Sequence, residues 1–153
     1  MVTIRKARQG DIEAIYTIVY DYALQGLMLH RTREAIQQEI EAEAMFVAEE
    51  ASAIYGVAGI TVFDPSLAEI RSLAVNKSGQ GKGIGRKLVA RIMEETKQRR
   101  IEKLLSLTYQ VPFFEKCGFH ITQKETMPQK VWKDCIHCAK FTNCNEVAMV
   151  VYV

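Results

Sequence analysis

Net charge is nearly absent: 20 Lys and Arg against 18 Asp and Glu over 153 residues give +2. A nucleic-acid binder needs a dense basic face, so that class is set aside; a small anion held by a few local positives stays open. No apolar run nears the ~18 residues of a membrane span. The start, "MVTIRKARQGD", lacks the apolar stretch of a secretory signal, so a cytoplasmic protein is expected. Four cysteines are too few for a disulfide scaffold. No internal repeat, low-complexity tract or linker is found. What remains, 48% hydrophobic and 25% charged, is one domain with enough apolar material for a core.

Periodicity orders the elements. "VTIRKA" alternates as a strand does. Asp11 is the expected N-cap or first-turn acid of a helix whose Ile12, Ile15, Val19 and Tyr22 recur at helical spacing and which Gly26 ends. Thr32 caps a second helix with Ile36 and Ile40 inward; Ala35 stands where a capping box would carry Glu, so the cap rests on Thr32 alone. "MFVAEE" and "AIYGVAGITVF" are predicted strands joined at Ala51–Ala53. "LAEIRSLAV" is a mostly apolar strand bearing Glu69 and Arg71. In "GIGRKLVARIMEETKQRRI", Ile84, Leu88, Val89, Ile92 and Met93 form one helical stripe. A strand "KLLSLTY", a short helix "PFFEKCGF" stopped by Gly118, a strand "HITQKE" and a last strand "NEVAMVVYV" follow. The expected order is β-α-α-β-β-β-α-β-α-β-(insert)-β, with the insert at about 128–145.

The stretch "NKSGQGKGIGRKL" sets Gly79, Gly81, Gly83 and Gly85 ahead of the clearest helix. Helix-start amides have no intrahelical acceptor and the dipole is positive there, so an anion site is expected. Glycines let backbone approach a phosphate, and Lys82 and Arg86 add charge. The competing reading is a tight strand-to-helix turn that binds nothing. The Walker pattern fails because no Lys–Ser/Thr pair follows. The dinucleotide fingerprint fails because Arg86 takes the place of its third glycine.

Gln80-Gly81-Lys82-Gly83-Ile84-Gly85 matches the Gln/Arg-x-x-Gly-x-Gly/Ala motif of the GNAT superfamily of N-acetyltransferases, in frame after a "LAV" strand and before a long amphipathic helix. "FFEKCGF", Phe113 to Phe119, is similar to a later signature of that family. "GLMLHRTREAI", "LAEIRSLAV", "LTYQVPFFEKCGF" and "PQKVWKDCIHCAKF" together resemble the short bacterial N-acetylglutamate-synthase-like acetyltransferases of arginine biosynthesis. The resemblance implies an α+β (α/β/α) fold: a mixed, mostly antiparallel sheet splayed at its centre, with helices on both faces. It implies acetyl-CoA as cosubstrate, with the pyrophosphate on the amides of residues 81–86 behind Gln80. The pantetheine arm would pair like an added strand along Leu73, Ala74 and Val75, and Phe114 would pack beside the thioester.

Acetyl transfer to an amine needs a base, a donor to the thioester oxygen and a proton for the leaving thiolate. Glu69 is the candidate base: an apolar strand desolvates it, and it stands eleven residues before Gln80, the register of many bases in the resembling family. The plainer alternative is a strand carboxylate paired with Arg71. Arg71 emerges on the same face and suits a carboxylate in a bidentate fork. Arg31, in the "LHRT" loop, is a second clamp candidate, with a solvated loop arginine as its alternative; Lys130 is a weaker third. Many members carry Tyr where Phe114 stands, and Phe donates no proton. Tyr109 is the nearest phenol in sequence, with Cys117 or a water as other donors.

Cys135-x-x-Cys138 and Cys144 raise metal or redox chemistry. A structural zinc wants four ligands, so His137, Asp134 or the distant Cys117 or His120 would have to complete three thiols. No metal site is assigned; a thiol pair ordering the insert, or small buried residues, are the other readings. Trp132 and Phe141 flank the cluster. The expected function is acetylation of a small amino acid, L-glutamate first, by direct transfer. The alternatives are another small amine, a polyamine or a protein lysine as acceptor, or a non-catalytic acyl-CoA-binding regulator. No nucleic acid or membrane partner is expected, and the sequence is compatible with a homodimer.

Overall fold

The computed structural model describes residues 1–123 and 146–153. The elements run β1 (Thr3–Lys6), α1 (Ile12–Leu24), α2 (Arg33–Glu41), β2 (Met45–Glu50), β3 (Ala53–Asp64), β4 (Leu67–Val75), α3 (Ile84–Gln98), β5 (Lys103–Thr108), α4 (Val111–Lys116), β6 (His120–Thr122) and β7 (Val147–Tyr152). This is the expected order; the insert, with Cys135, Cys138 and Cys144, lies outside the described residues. The strands are hydrogen-bonded in the order β1-β2-β3-β4-β5-β7-β6. The β4–β5 ladder is parallel, and the others whose register is resolved are antiparallel. The last strand in sequence thus lies between β5 and β6, an arrangement that periodicity does not predict.

Two compact units divide the chain. The first comprises Met1–Thr61 and Ile70–Glu95. Its core gathers Ile15, Ile18 and Val19 of α1, Ile36 and Ile40 of α2, and Met45, Val47, Val57 and Ala74 from the strands. These are the inward positions of a 3.6-residue helical stripe and a two-residue strand alternation. Thr32 caps α2 as expected, its Oγ1 accepting the Ala35 amide at 3.0 Å. Gly26, with φ +73°, ends α1, and the Leu27 amide donates back to the Tyr22 carbonyl at 3.0 Å.

Asp11 stands at the N-cap of α1, as expected, but its side chain is used elsewhere. Its carboxylate makes no capping bond to α1. It accepts two bonds from the Arg5 guanidinium, at 2.8 and 3.0 Å, and the Arg8 amide at 2.8 Å. Arg5 also holds Glu49 of β2 at 3.1 and 3.2 Å. A bidentate charged bond outcompetes a helix-start amide for the same oxygens. Burial works to raise the Asp11 carboxyl, but the Arg5 and Arg8 bonds prevail and hold it below its usual range. The hydrogen bond from Arg5 likewise lowers Glu49.

The second unit comprises Val62–Glu69 and Thr96–Val153. Leu67, Leu105, Ala148 and Val150 form its cluster, with Phe63 and Leu107 packed against it. The ladder registers Leu67, Ala68 and Glu69 of β4 with Lys103, Leu104 and Leu105 of β5. In α4, Phe114 meets Phe113 and Phe119 edge-on at 5.0 and 5.1 Å. Gly118, with φ +99°, turns the chain so that the Phe119 amide bonds the Phe114 carbonyl at 3.0 Å.

Candidate active site

The glycine stretch belongs to the first unit, and two separate reasons make three of its four glycines glycine. Gly79 is buried, and a Cβ there would lie 3.0 Å from both Tyr55 Cβ and Val75 Cγ1, so it is a packing glycine. Gly81 and Gly83 take φ of +80° and +75° with nothing within 4 Å of a would-be Cβ. Their requirement is conformational, and the space beside them is open. Gly85 is already inside α3. Gly79 lies outside the residues 81–86 expected to hold the pyrophosphate, and within them only Gly81 and Gly83 take positive φ.

The rest of the stretch is held from behind. Asn76 Oδ1 accepts the Gly79 amide at 2.9 Å and its Nδ2 donates to the Ile54 carbonyl at 3.3 Å, fixing the turn after β4. The Lys87 amide bonds the Gly83 carbonyl at 3.2 Å, so the amides of Ile84, Gly85 and Arg86 precede the ladder of α3. Ile84 is buried and anchors the helix start, while Gly81, Lys82, Gly83 and Arg86 are exposed. The Lys82 ammonium lies 5.3 Å from the Tyr55 ring centroid. The result is a positive, amide-lined loop on a rigid base.

On β4, Ala74 is buried and Leu73 and Val75 are half-buried. Ser72, between Arg71 and Leu73, has φ +55°, a left-handed residue in the middle of a strand. Val75 carries a feature unforeseen from sequence: the Tyr22 hydroxyl of α1 bonds both its carbonyl and its amide. Gln80, expected at the cofactor, turns its Nε2 to the same carbonyl at 3.3 Å. Arg71 is half-buried. Arg31 makes an ion pair with Glu39 of α2, so its alternative as a merely solvated arginine is replaced by a pair.

In the second unit, Glu69 is 3% exposed. It stands opposite Leu105, which stands opposite Val150, so the carboxylate shares a face with the apolar cluster. Tyr109 is half-buried between β5 and α4, where Thr108 Oγ1 accepts the Gln110 amide at 2.7 Å. Phe114 is 4% exposed inside its aromatic trio. Among the described residues no group of three or more His, Cys, Asp or Glu is set to hold a metal, and no helix is long and apolar enough to cross a membrane. Lys130, Trp132, Asp134, His137 and Phe141 lie outside those residues.

An acetyltransferase (GNAT) domain family matches residues 41–121, more than half of the chain. The protein belongs to the GNAT acetyltransferase family. It is an N-acetyltransferase, and acetyl-CoA is the cosubstrate. The acetyltransferase is 39% identical over 96% of its length to an uncharacterized N-acetyltransferase of Chlorobaculum tepidum, of which it covers 94%. It is 30% identical over 87% of its length to an amino-acid acetyltransferase of Neisseria meningitidis, and spans 30% of that longer protein. The acetyltransferase superposes over 99% of its length on 35% of the N-acetylglutamate synthase of Neisseria gonorrhoeae complexed with coenzyme A and N-acetyl-glutamate, with TM-score 0.88 and 28% identity.

Proposed function

We propose that the acetyltransferase acts on the amine of a small amino acid, L-glutamate foremost, by direct transfer in a ternary complex. The observation that carries this reading lies on β4: a buried carboxylate, Glu69, is followed two residues later by the Arg71 guanidinium. An amino acid brings an amine that must lose a proton and a carboxylate that must be held. The strand offers a base for the first and a cation for the second. The amino-acid acetyltransferase and N-acetylglutamate synthase among its relatives support that acceptor class.

Acetyl-CoA supplies a thioester carbon open to attack and a thiolate that can leave. The loop fits its pyrophosphate: Gly81 and Gly83 leave space, the amides of Ile84, Gly85 and Arg86 are available ahead of the α3 ladder, and Lys82 and Arg86 add charge. Gln80 secures the loop to the end of β4, along which Leu73, Ala74 and Val75 receive the arm, with Phe114 beside its far end. Glu69 takes the amine proton directly or through one water. Arg71 and Arg31 hold the acceptor carboxylates, Arg31 with its charge already shared with Glu39. Tyr109 donates a proton to the departing thiolate, since Phe114 has no hydroxyl. This assignment makes the enzyme a cytoplasmic one of arginine biosynthesis.

The test is thiol release from acetyl-CoA across the common amino acids and polyamines. Glutamate as the best acceptor supports the reading. A polyamine as the best acceptor rejects the clamp, and no release despite bound CoA points to a regulator.

A further inference from the structure

The Tyr22 hydroxyl donates to the Val75 carbonyl at 3.0 Å and accepts the Val75 amide at 3.2 Å. A phenol has one donor and a free acceptor lone pair, so one oxygen satisfies both groups of one strand residue. The edge of β4 involved can be derived. Strand amides alternate between the two edges. The Asn76 amide goes to the Tyr55 carbonyl of β3 at 2.9 Å, so the Val75 pair faces the edge away from β3. Tyr22 therefore does for β4 what one residue of an added strand would do. The ring itself is half-buried against the core of the first unit, so its hydroxyl is aimed by packing.

We propose that Tyr22 competes, from within the chain, for the strand-edge groups that pair with the pantetheine arm, and so sets the affinity for acetyl-CoA. This rests on the reading that the arm runs along Leu73–Val75. An arm amide group that pairs with Val75 needs its amide, which Tyr22 alone holds, and a place on its carbonyl, whose two lone pairs Tyr22 and Gln80 Nε2 already share, so the phenol must turn aside. Each acetyl-CoA bound then costs the protein two hydrogen bonds of its own.

The experiment compares wild type with Tyr22→Phe by titration calorimetry, using acetyl-CoA and adenosine 3′,5′-bisphosphate, which shares the nucleotide end but has no arm. Tyr22→Phe should bind acetyl-CoA roughly two- to tenfold more tightly, from the net worth of a lost hydrogen bond. Its affinity for the bisphosphate should not change. The Val75 amide should exchange faster with solvent in the free variant and regain protection with acetyl-CoA. Tyr22→Leu, which keeps an apolar contact without the hydroxyl, should move affinity in the same direction. Unchanged or weaker acetyl-CoA binding in Tyr22→Phe, or an equal change for the bisphosphate, would overturn the proposal. If wild type binds acetyl-CoA no more tightly than the bisphosphate, the arm reading itself fails, and the role of Tyr22 with it.

Discussion

Gly83 offers the sharpest test of the loop. Its φ of +75° is left-handed, yet nothing lies within 4 Å of a would-be Cβ, so Gly83→Ala pays in backbone conformation and not in collision. An ordinary L-residue held in that region costs about 1–2 kcal/mol. The loop is exposed, so the variant can relax to negative φ in the free protein and must recover the strained form to offer the amides of Ile84, Gly85 and Arg86. The cost therefore appears in binding, as an acetyl-CoA Kd raised about five- to thirtyfold, with little change in Tm. Gly83→Asn carries a Cβ too but tolerates the left-handed region, so it should lose much less. Titration calorimetry with thermal unfolding on the same samples measures both. Equal losses for Ala and Asn would mean that the Cβ, not the backbone angle, obstructs the ligand. An unchanged Kd with a lowered Tm would refute the loop's role in binding.

The carboxylates of Asp11 and Glu49 sit below their usual range, so what they contribute to stability is full above about pH 4 and is lost as pH falls through their lowered values. Tm followed from pH 6 to 2.5 should fall more steeply for wild type than for Asp11→Asn, which starts lower; parallel curves would contradict this. Thr32→Ala removes the α2 cap and should cost about 1 kcal/mol in urea unfolding with an unchanged m-value. Arg71→Ala should raise KM for glutamate at least tenfold, about the worth of one charged hydrogen-bonding contact, and leave acetyl-CoA binding intact. A change confined to acetyl-CoA would mean that the clamp is misassigned.

Local patterns were legible because they depend on neighbours in sequence. The strand "LAEIRSLAV" is β4 from Leu67 to Val75, and the stripe from Ile84 to Ile92 is buried as expected. Thr32 caps α2 as its residue type implies. What escaped depends on partners distant in the chain. Gly79 looks like its neighbouring glycines until Tyr55 is placed against it. Asp11 is the N-cap residue its position implies, but nothing local shows that Arg5 takes both its oxygens. Arg31 pairs with Glu39, eight positions on and across a helix start, a spacing that no periodicity flags. Tyr22 has the position of a core aromatic, and only its contact 53 residues away gives its hydroxyl a task. Asn76 alone had a readable signal, an Asn three residues before a glycine in a turn, the pattern of a side chain capping its own turn.

We propose above all that Glu69, a carboxylate 3% exposed on an apolar face of β4, takes the proton from the acceptor amine. Glu69→Gln keeps the shape and removes the base. The decisive measurement is single-turnover acetylation of glutamate by this variant, with acetyl-CoA binding measured in parallel. The expected result is a rate lowered roughly 10²–10⁴-fold with an unchanged acetyl-CoA Kd. A variant that acetylates glutamate at the wild-type rate across the pH range would contradict it.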